Sequence, residues 1–154
     1  MWLDIKLPDP AATEAHGAAL AEGARPGRVM HLRGELGAGK TTLVRGLLRA
    51  LGWAGRVKSP TYTLVEAYTV SSLHFYHFDL YRLENRSEWL SSGFREYFST
   101  QAFCVVEWPE KAAGLLGTPD VNVYLQFTGE SRTAGLHAQT SAGASWLAPL
   151  RSLS

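Results

Sequence analysis

One octapeptide constrains what this chain can fold into more than any other feature of its sequence. Residues 34–41 have the sequence GELGAGKT, which fits the pattern Gly-x-x-x-x-Gly-Lys-Thr. Glycines let the backbone turn tightly and aim successive N–H groups at phosphate oxygens, and a helix that begins near Lys40 adds the positive end of its dipole. The Lys40 side chain can reach the β- and γ-phosphates, and the Thr41 hydroxyl can bind Mg²⁺. The pattern therefore predicts a nucleoside triphosphate site.

The residues around this loop have the order that such a site needs. Residues 28–33 predict a short strand before the loop, with apolar side chains at Val29, Met30 and Leu32. After it, apolar residues recur at helical spacing over 40–51, and Gly52 supplies a stop signal. A strand, a phosphate loop and a helix therefore follow one another along the chain.

The remaining elements alternate in type. The patterns predict helices over 11–23, 87–98 and 141–150, a hairpin of strands 61–70 and 73–80 that turns at 71–72, and further strands over 102–106, 121–127 and 133–139. Such alternation is typical of α/β proteins, and the hairpins indicate a mixed sheet. We expect a single P-loop NTPase-like domain over residues 1–154, with a mixed β-sheet flanked by helices.

Composition excludes several classes of protein. The chain has 154 residues, of which 45% are hydrophobic, and one cysteine, Cys104, so no disulfide can form within it. A net charge of +1 argues against nucleic-acid binding by bulk electrostatics. The sequence shows no stretch long and apolar enough to span a membrane and no secretory signal at its start. We therefore expect a cytoplasmic protein without membrane contact.

The absence of two motifs favours ATP over GTP. Familiar GTPases carry Asp-x-x-Gly and Asn-Lys-x-Asp, but aspartate occurs here only at positions 4, 9, 79 and 120, in neither context.

A phosphate loop needs carboxylates near the γ-phosphate, to hold magnesium or to activate the nucleophile. Glu107 ends the apolar run 102–106, where a Walker B acid stands, and Asp79 lies late in the predicted strand 73–80. The alternatives are a solvated strand-end charge for Glu107 and a structural pair with Arg82 for Asp79. His74 and His77, three residues apart on a strand, should point to opposite faces, which favours packing over metal binding.

Residues 59–63, Ser-Pro-Thr-Tyr-Thr, follow the helix of the phosphate loop. Their hydroxyl groups could reach the γ-phosphate as a GTPase switch does, or the segment could be an ordinary turn.

Four segments together resemble the TsaE (YjeE) family, the bacterial P-loop ATPases of tRNA threonylcarbamoyladenosine biosynthesis. They are GELGAGKTT at 34–42, KSPTYTLVE at 58–66, HFDLYRL at 77–83 and VEWPE at 106–110, in the family's order and spacing. Glu35 stands where the family often has Asp, and residues from 136 onward match loosely.

The resemblance implies a Mg²⁺-dependent ATPase that acts with two proteins, TsaD and TsaB, and contacts tRNA indirectly through them. It implies that Lys40, Asp79 and Glu107 serve catalysis and that Thr41 and Glu107 hold Mg²⁺. The further residues that it implies at the nucleotide are Gly37, Ala38, Gly39, Lys40, Thr41, Thr42, Thr61, Thr63, Trp108 and Arg132.

Two other functions stay open at this point. Arg82 and Arg86 lie four residues apart, which on a helical lid would bring two guanidinium groups over the phosphates of a small-molecule kinase. The second open function is that of a module that binds nucleotide without hydrolysing it. An ATPase without a motif-placed arginine finger should hydrolyse ATP weakly alone and faster with partners.

Overall fold

A computed structural model describes residues 1–153, and its centre is a seven-stranded mixed sheet. The strands are β1 (Trp2–Leu7), β2 (Val29–Arg33), β3 (Val65–Val70), β4 (Leu73–Asp79), β5 (Ala102–Glu107), β6 (Val121–Thr128) and β7 (Ser131–Ala138). Their order across the sheet is β1-β7-β6-β2-β5-β4-β3. The four central strands β6, β2, β5 and β4 are parallel, and the remaining neighbours are antiparallel. The prediction of a mixed α/β fold is confirmed.

Helices cover both faces of this sheet. They are α1 (Pro10–Leu20), α2 (Lys40–Leu51), α3 (Arg86–Ser92) and α4 (Ser141–Leu147), with 3₁₀ turns at Ala21–Gly23, Phe94–Tyr97, Pro109–Ala112 and Ala148–Leu153. Alternate residues of β5 separate two cores: Phe103 and Val105 pack with α1, α2 and α4, while Cys104 and Val106 pack with α3. The central strands are thus buried on both faces, as parallel sheets require.

Helices α1 and α2 cross at two glycines. A Cβ on Gly17 would lie 2.0 Å from Leu43 O, and a Cβ on Gly46 would lie 2.0 Å from Glu14 O. Each backbone therefore occupies the space that a side chain on the other helix would need. Because α2 follows the phosphate loop directly, this crossing fixes the end of the loop relative to α1.

Helix α2 was predicted with its observed bounds, whereas other elements differ. Strand β1 was not predicted. The strand predicted from residue 61 begins at Val65, because 61–64 form turns and Leu64 has a φ of 65°. The helix predicted over 87–98 was wrong in length, since Gly93 takes a left-handed conformation with φ 78° and ends α3.

No helix within residues 1–153 is long and apolar enough to cross a bilayer.

Candidate nucleotide site

The phosphate loop joins β2 to α2 and leaves the start of α2 without a cap. Asp9, Asn85 and Thr140 cap α1, α3 and α4 with side-chain hydrogen bonds to backbone N–H groups. At α2 the N-cap is Gly39, which takes φ 104° and has no side chain to offer. The first N–H groups of α2 are thus available to a ligand, and the helix dipole favours an anionic one.

Lys40 is almost completely buried, and its ammonium group contacts three parts of the site. Nζ donates a hydrogen bond to Gly34 O at 2.6 Å, lies 4.2 Å from the centroid of the Trp108 ring, and lies 3.8 Å from Glu107 Oε1. Burial lowers the pKa of Lys40, and the charges of Glu107, Asp79 and Glu110 partly offset this. The lysine is therefore held in the loop, facing both predicted acids.

Asp79 and Glu107 end the adjacent parallel strands β4 and β5 and are partners in their register. Asp79 is half-buried and accepts a hydrogen bond from Tyr81 N at 3.0 Å. Burial, and then the charge of Glu107, raise the pKa of Asp79 above its usual value. Glu107 is buried at 3% exposure. Neither alternative role is found, because Glu107 is not solvated and Arg82 lies over the Tyr62 ring rather than beside Asp79.

One cavity of about 320 Å³ brings most of the predicted residues together. Its lining includes Gly37, Gly39, Lys40, Thr41, Thr42, Thr61, Asp79, Glu107 and Trp108, together with Leu36 and Ser59. The Thr61 hydroxyl contacts the Ser59 hydroxyl at 2.9 Å. Thr63 is not part of this lining: it is exposed, and its hydroxyl donates to Glu66 Oε1 at 3.3 Å. Its predicted place in a switch-like loop stays a prediction.

Trp108 directly follows Glu107 and lines the same cavity as the loop. Its backbone is left-handed, with φ 54°, and it turns the chain from β5 into a 3₁₀ turn. A non-glycine residue in this conformation is uncommon and costs energy, which other contacts must offset. Here the ring contacts Lys40 on one side and the Tyr81 ring, with centroids 4.9 Å apart, on another.

A second cavity, of about 280 Å³, lies on the other side of the loop. Its lining combines the loop residues Gly37, Ala38, Gly39 and Thr42 with residues 7–10, Thr13 and residues 130–132. Arg132 donates to Gly37 O at 3.4 Å, and its guanidinium group lies 4.1 Å from the centroid of the Phe127 ring. The structure thus places Arg132 against the phosphate loop, and its predicted contact with the nucleotide stays a prediction.

The oxygen atoms in the first cavity fit Mg²⁺. This cation prefers hard oxygen ligands and usually takes only one or two carboxylates, with water and phosphate oxygens completing the shell. Thr41, Asp79 and Glu107 supply a hydroxyl and two carboxylates to the cavity. Within the described residues, no group of three or more His, Cys, Asp and Glu side chains could hold a metal, so a Mg²⁺ ion here would also need phosphate or water oxygens.

His77 is the site residue that the sequence interpretation missed. It is fully buried on β4, and its Nε2 lies 2.5 Å from Glu107 Oε2. The interpretation as a packing residue was incomplete because it compared His77 with His74, which is on the opposite face. The useful comparison is with Asp79, two residues along the strand and so on the same face.

The two arginines that suggested a kinase lid do not form one. Arg82 precedes α3 and lies over Tyr62 with its guanidinium 4.8 Å from the ring centroid. Arg86 is the first residue of α3 and donates to Ala113 O at 2.9 Å. The two side chains therefore do not share one helical face over the loop.

The phosphate loop joins a central strand of the mixed sheet to a helix, and acidic residues end two neighbouring strands. This arrangement defines a P-loop NTPase-like α/β protein. The crystal structure of YdiB from Bacillus subtilis is similar to this chain, with a TM-score of 0.84 and 29% identity, and the match covers 97% of this chain and 94% of that one.

The family follows from sequence comparison. A model described as "Threonylcarbamoyl adenosine biosynthesis protein TsaE" matches residues 7–134. The tRNA threonylcarbamoyladenosine biosynthesis protein TsaE of Haemophilus influenzae is 48% identical over 115 residues, which cover 75% of this chain and 73% of that protein. The protein of the same name from Bacillus subtilis is 45% identical over 100 residues, covering 65% and 62%. The chain belongs to the TsaE family.

Proposed function

We propose that this protein is a Mg²⁺-dependent ATPase of tRNA threonylcarbamoyladenosine biosynthesis that works with the TsaD–TsaB pair. One observation carries the proposal. Helix α2 begins without a side-chain cap at the buried Lys40, and Lys40, Asp79 and Glu107 line one cavity. Loop amides and a lysine bind phosphates, and carboxylates beside them hold magnesium or orient the attacking water.

The proposed roles follow from the exposure of each side chain. Lys40 would exchange its hydrogen bond to Gly34 O for one to a phosphate oxygen. Thr41 and Glu107 would hold Mg²⁺, which when bound neutralises charge on the phosphate oxygens. Asp79 is the more accessible acid, and its raised pKa strengthens it as a proton acceptor, so it would accept a hydrogen bond from the attacking water.

The second cavity suits the nucleoside part of ATP. It shares Gly37, Gly39 and Thr42 with the first cavity, so a ligand whose phosphates lie on the loop can reach both. Arg132 at its edge can approach the phosphates from the side opposite to Lys40. The choice of ATP rests on the missing GTPase motifs.

Exposed apolar side chains around the phosphate loop and the first cavity support a protein partner. Leu36, Tyr62 and Phe127 are 62%, 85% and 46% exposed, although large apolar groups gain free energy from burial. Aromatic residues are enriched in protein–protein interfaces. A partner on this rim would also exclude water from the cavity and strengthen its electrostatic interactions. In this proposal TsaD and TsaB make the tRNA contacts, and the protein works with them in the cytoplasm.

Steady-state ATP hydrolysis, with and without purified TsaD–TsaB, tests the proposal. We expect weak hydrolysis alone, stimulation by the pair, and loss of both in Lys40→Ala. Lys6→Ala is the matched control, because Lys6 is exposed on β1. Full activity alone that the pair does not change would contradict the assembly role. Transfer of phosphate from ATP to a metabolite would instead favour the kinase.

A further inference from the structure

His77 and Glu107 form a buried contact that the proposed roles do not use. His77 has 0% exposure, and its Nε2 meets Glu107 Oε2 at 2.5 Å. The strand register explains the contact: His77 is the partner of Val105 across β4 and β5, and Glu107 is two residues beyond Val105 on the same face. A histidine and a carboxylate are therefore brought together beneath the cavity by the backbone itself.

His77 cannot touch a ligand in the cavity directly. It has no exposed surface and is not among the residues that line the cavity, whereas Glu107 is. Any influence of His77 on the bound nucleotide must therefore pass through Glu107.

The proposed role of Glu107 sets the direction of this hydrogen bond. A carboxylate that holds Mg²⁺ is ionised and only accepts hydrogen bonds, so the role requires the tautomer in which His77 Nε2 donates. The other ring nitrogen, Nδ1, is buried and has no hydrogen-bond partner among the described residues. Burying an unpartnered polar atom costs stability, which makes a histidine at this position a poor choice for packing alone.

The contact also distinguishes the two oxygens of Glu107. Oε2 is held by His77, while Oε1 lies 3.8 Å from Lys40 Nζ, beyond hydrogen-bond distance. The contact with His77 thus holds Oε2 in place, while Oε1 lies on the side of Lys40 and the cavity.

We propose that His77 is a positioning residue, which donates from Nε2 to Glu107 Oε2 and so fixes the direction of Oε1 for Mg²⁺–nucleotide. The inference rests on the proposed function and deepens it. Groups that hold a metal ligand from behind set its orientation, and their removal typically costs about 10- to 100-fold in metal affinity or activity.

Two amide substitutions separate positioning from packing. The glutamine amide in His77→Gln reaches the place of Nε2 and keeps a donor for Glu107. The shorter amide in His77→Asn matches Nδ1 and leaves Glu107 Oε2 without a donor. We expect His77→Asn to lower kcat with TsaD–TsaB by roughly 10- to 100-fold with a smaller change in KM, and His77→Gln to recover most of the loss.

A second readout does not depend on turnover. Calorimetric titration with ADP, in Mg²⁺ and in EDTA, measures how much magnesium strengthens nucleotide binding. We expect this increment to fall in His77→Asn and to persist in His77→Gln, while affinity in EDTA stays unchanged in both. In a Glu107→Gln background, His77→Asn should have no further effect on the increment, because His77 acts through that carboxylate.

Two outcomes overturn the inference. Equal impairment of the two amide variants would make the imidazole ring itself, and so packing, the cause. Wild-type values in both would show that Glu107 needs no support. Failure of the proposed function is distinguishable, because it removes Lys40-dependent hydrolysis in the wild type, while the ADP titration still reports on His77.

Discussion

Asp79 and Glu107 occupy the same register position of two parallel strands, each as the last residue of its strand. Their environments nevertheless differ: Glu107 is buried against His77 and Lys40, whereas Asp79 is half-buried and has a backbone N–H as its partner. Burial, and then the charge of Glu107, raise the pKa of Asp79. Glu107 is thus held by two side chains, whereas Asp79 has no side-chain hydrogen-bond partner among the described residues and lines the same cavity.

Replacing Asp79 should separate catalysis from stability. In Asp79→Asn we expect kcat to fall by about 10²- to 10⁴-fold, since the proton acceptor is lost, while ADP affinity is kept. The free energy of unfolding at neutral pH should rise, because a group with a raised pKa is destabilising while it is charged. Hydrolysis assays and urea denaturation measure the two effects. The control is Asp4→Asn, on the exposed side of β1, and an unchanged kcat in Asp79→Asn would contradict the assignment.

Arg132 should contribute to nucleotide affinity. Its guanidinium group lies at Gly37 O and over the Phe127 ring, within reach of phosphates on the loop. We expect Arg132→Ala to weaken ADP binding roughly tenfold, because a hydrogen bond to a charged group contributes about 1.5 kcal/mol. Calorimetric titration checks this, with the exposed Arg25→Ala as control. Equal affinities in the two variants would remove Arg132 from the site.

The crossing of α1 and α2 should not tolerate a methyl group. In Gly46→Ala the new Cβ would meet Glu14 O at 2.0 Å, which neither helix can relieve without moving. We expect a loss of about 3 kcal/mol in the free energy of unfolding. The loop that precedes α2 would move with it, so ADP affinity should fall as well. Urea denaturation of Gly46→Ala beside Gly117→Ala, where no atom lies within 4 Å, provides the comparison; matching stabilities would refute the close approach.

Acid should destabilise the fold through His31, a buried residue whose ring nitrogens have no hydrogen-bond partner among residues 1–153. Burial, with a smaller contribution from Arg33, lowers its pKa from 6.5 to about 4. Between these values the unfolded chain binds a proton that the folded one does not, so stability falls as pH drops from 6.5 to about 4 and then levels off. The full effect is on the order of 3 kcal/mol.

The His31→Leu variant isolates this contribution, because it removes the titrating group without breaking a hydrogen bond. Its unfolding free energy should depend less steeply on pH over the same range than that of the wild type. Urea denaturation at several pH values measures the two slopes. His16→Leu should behave similarly, since burial also lowers the pKa of His16 to about 4. Parallel curves for wild type and both variants would contradict the prediction.

Local sequence signals were sufficient to predict the phosphate loop and α2, because one motif determines both their conformation and their chemistry. The loop and α2 follow from glycine placement, an apolar helical face and a stop at Gly52, all within one short segment. The acids were found because an ionisable residue at the end of an apolar strand is conspicuous.

The missed elements depended on weaker or longer-range signals. Strand β1 does carry an alternating pattern, with Leu3, Ile5 and Leu7 buried, but it is short and begins the chain. Its pairing with β7 joins residues distant in sequence, which local patterns do not report. The contact of His77 with Glu107 requires the register of β4 on β5, and register is a property of the assembled sheet.

Strand β1 brings a practical consequence for anyone who modifies this protein. Leu7 is the register partner of Arg132, and residues 7–10 form one wall of the cavity whose other wall contains that arginine. Shortening the chain from its front, or displacing β1 with a bulky fusion, would open this cavity and not merely remove an edge strand. Fusion partners and surface attachments should therefore be placed elsewhere on the protein. A loss of nucleotide binding after a change at the start of the chain would reflect a disturbed cavity wall and not the loss of a binding group.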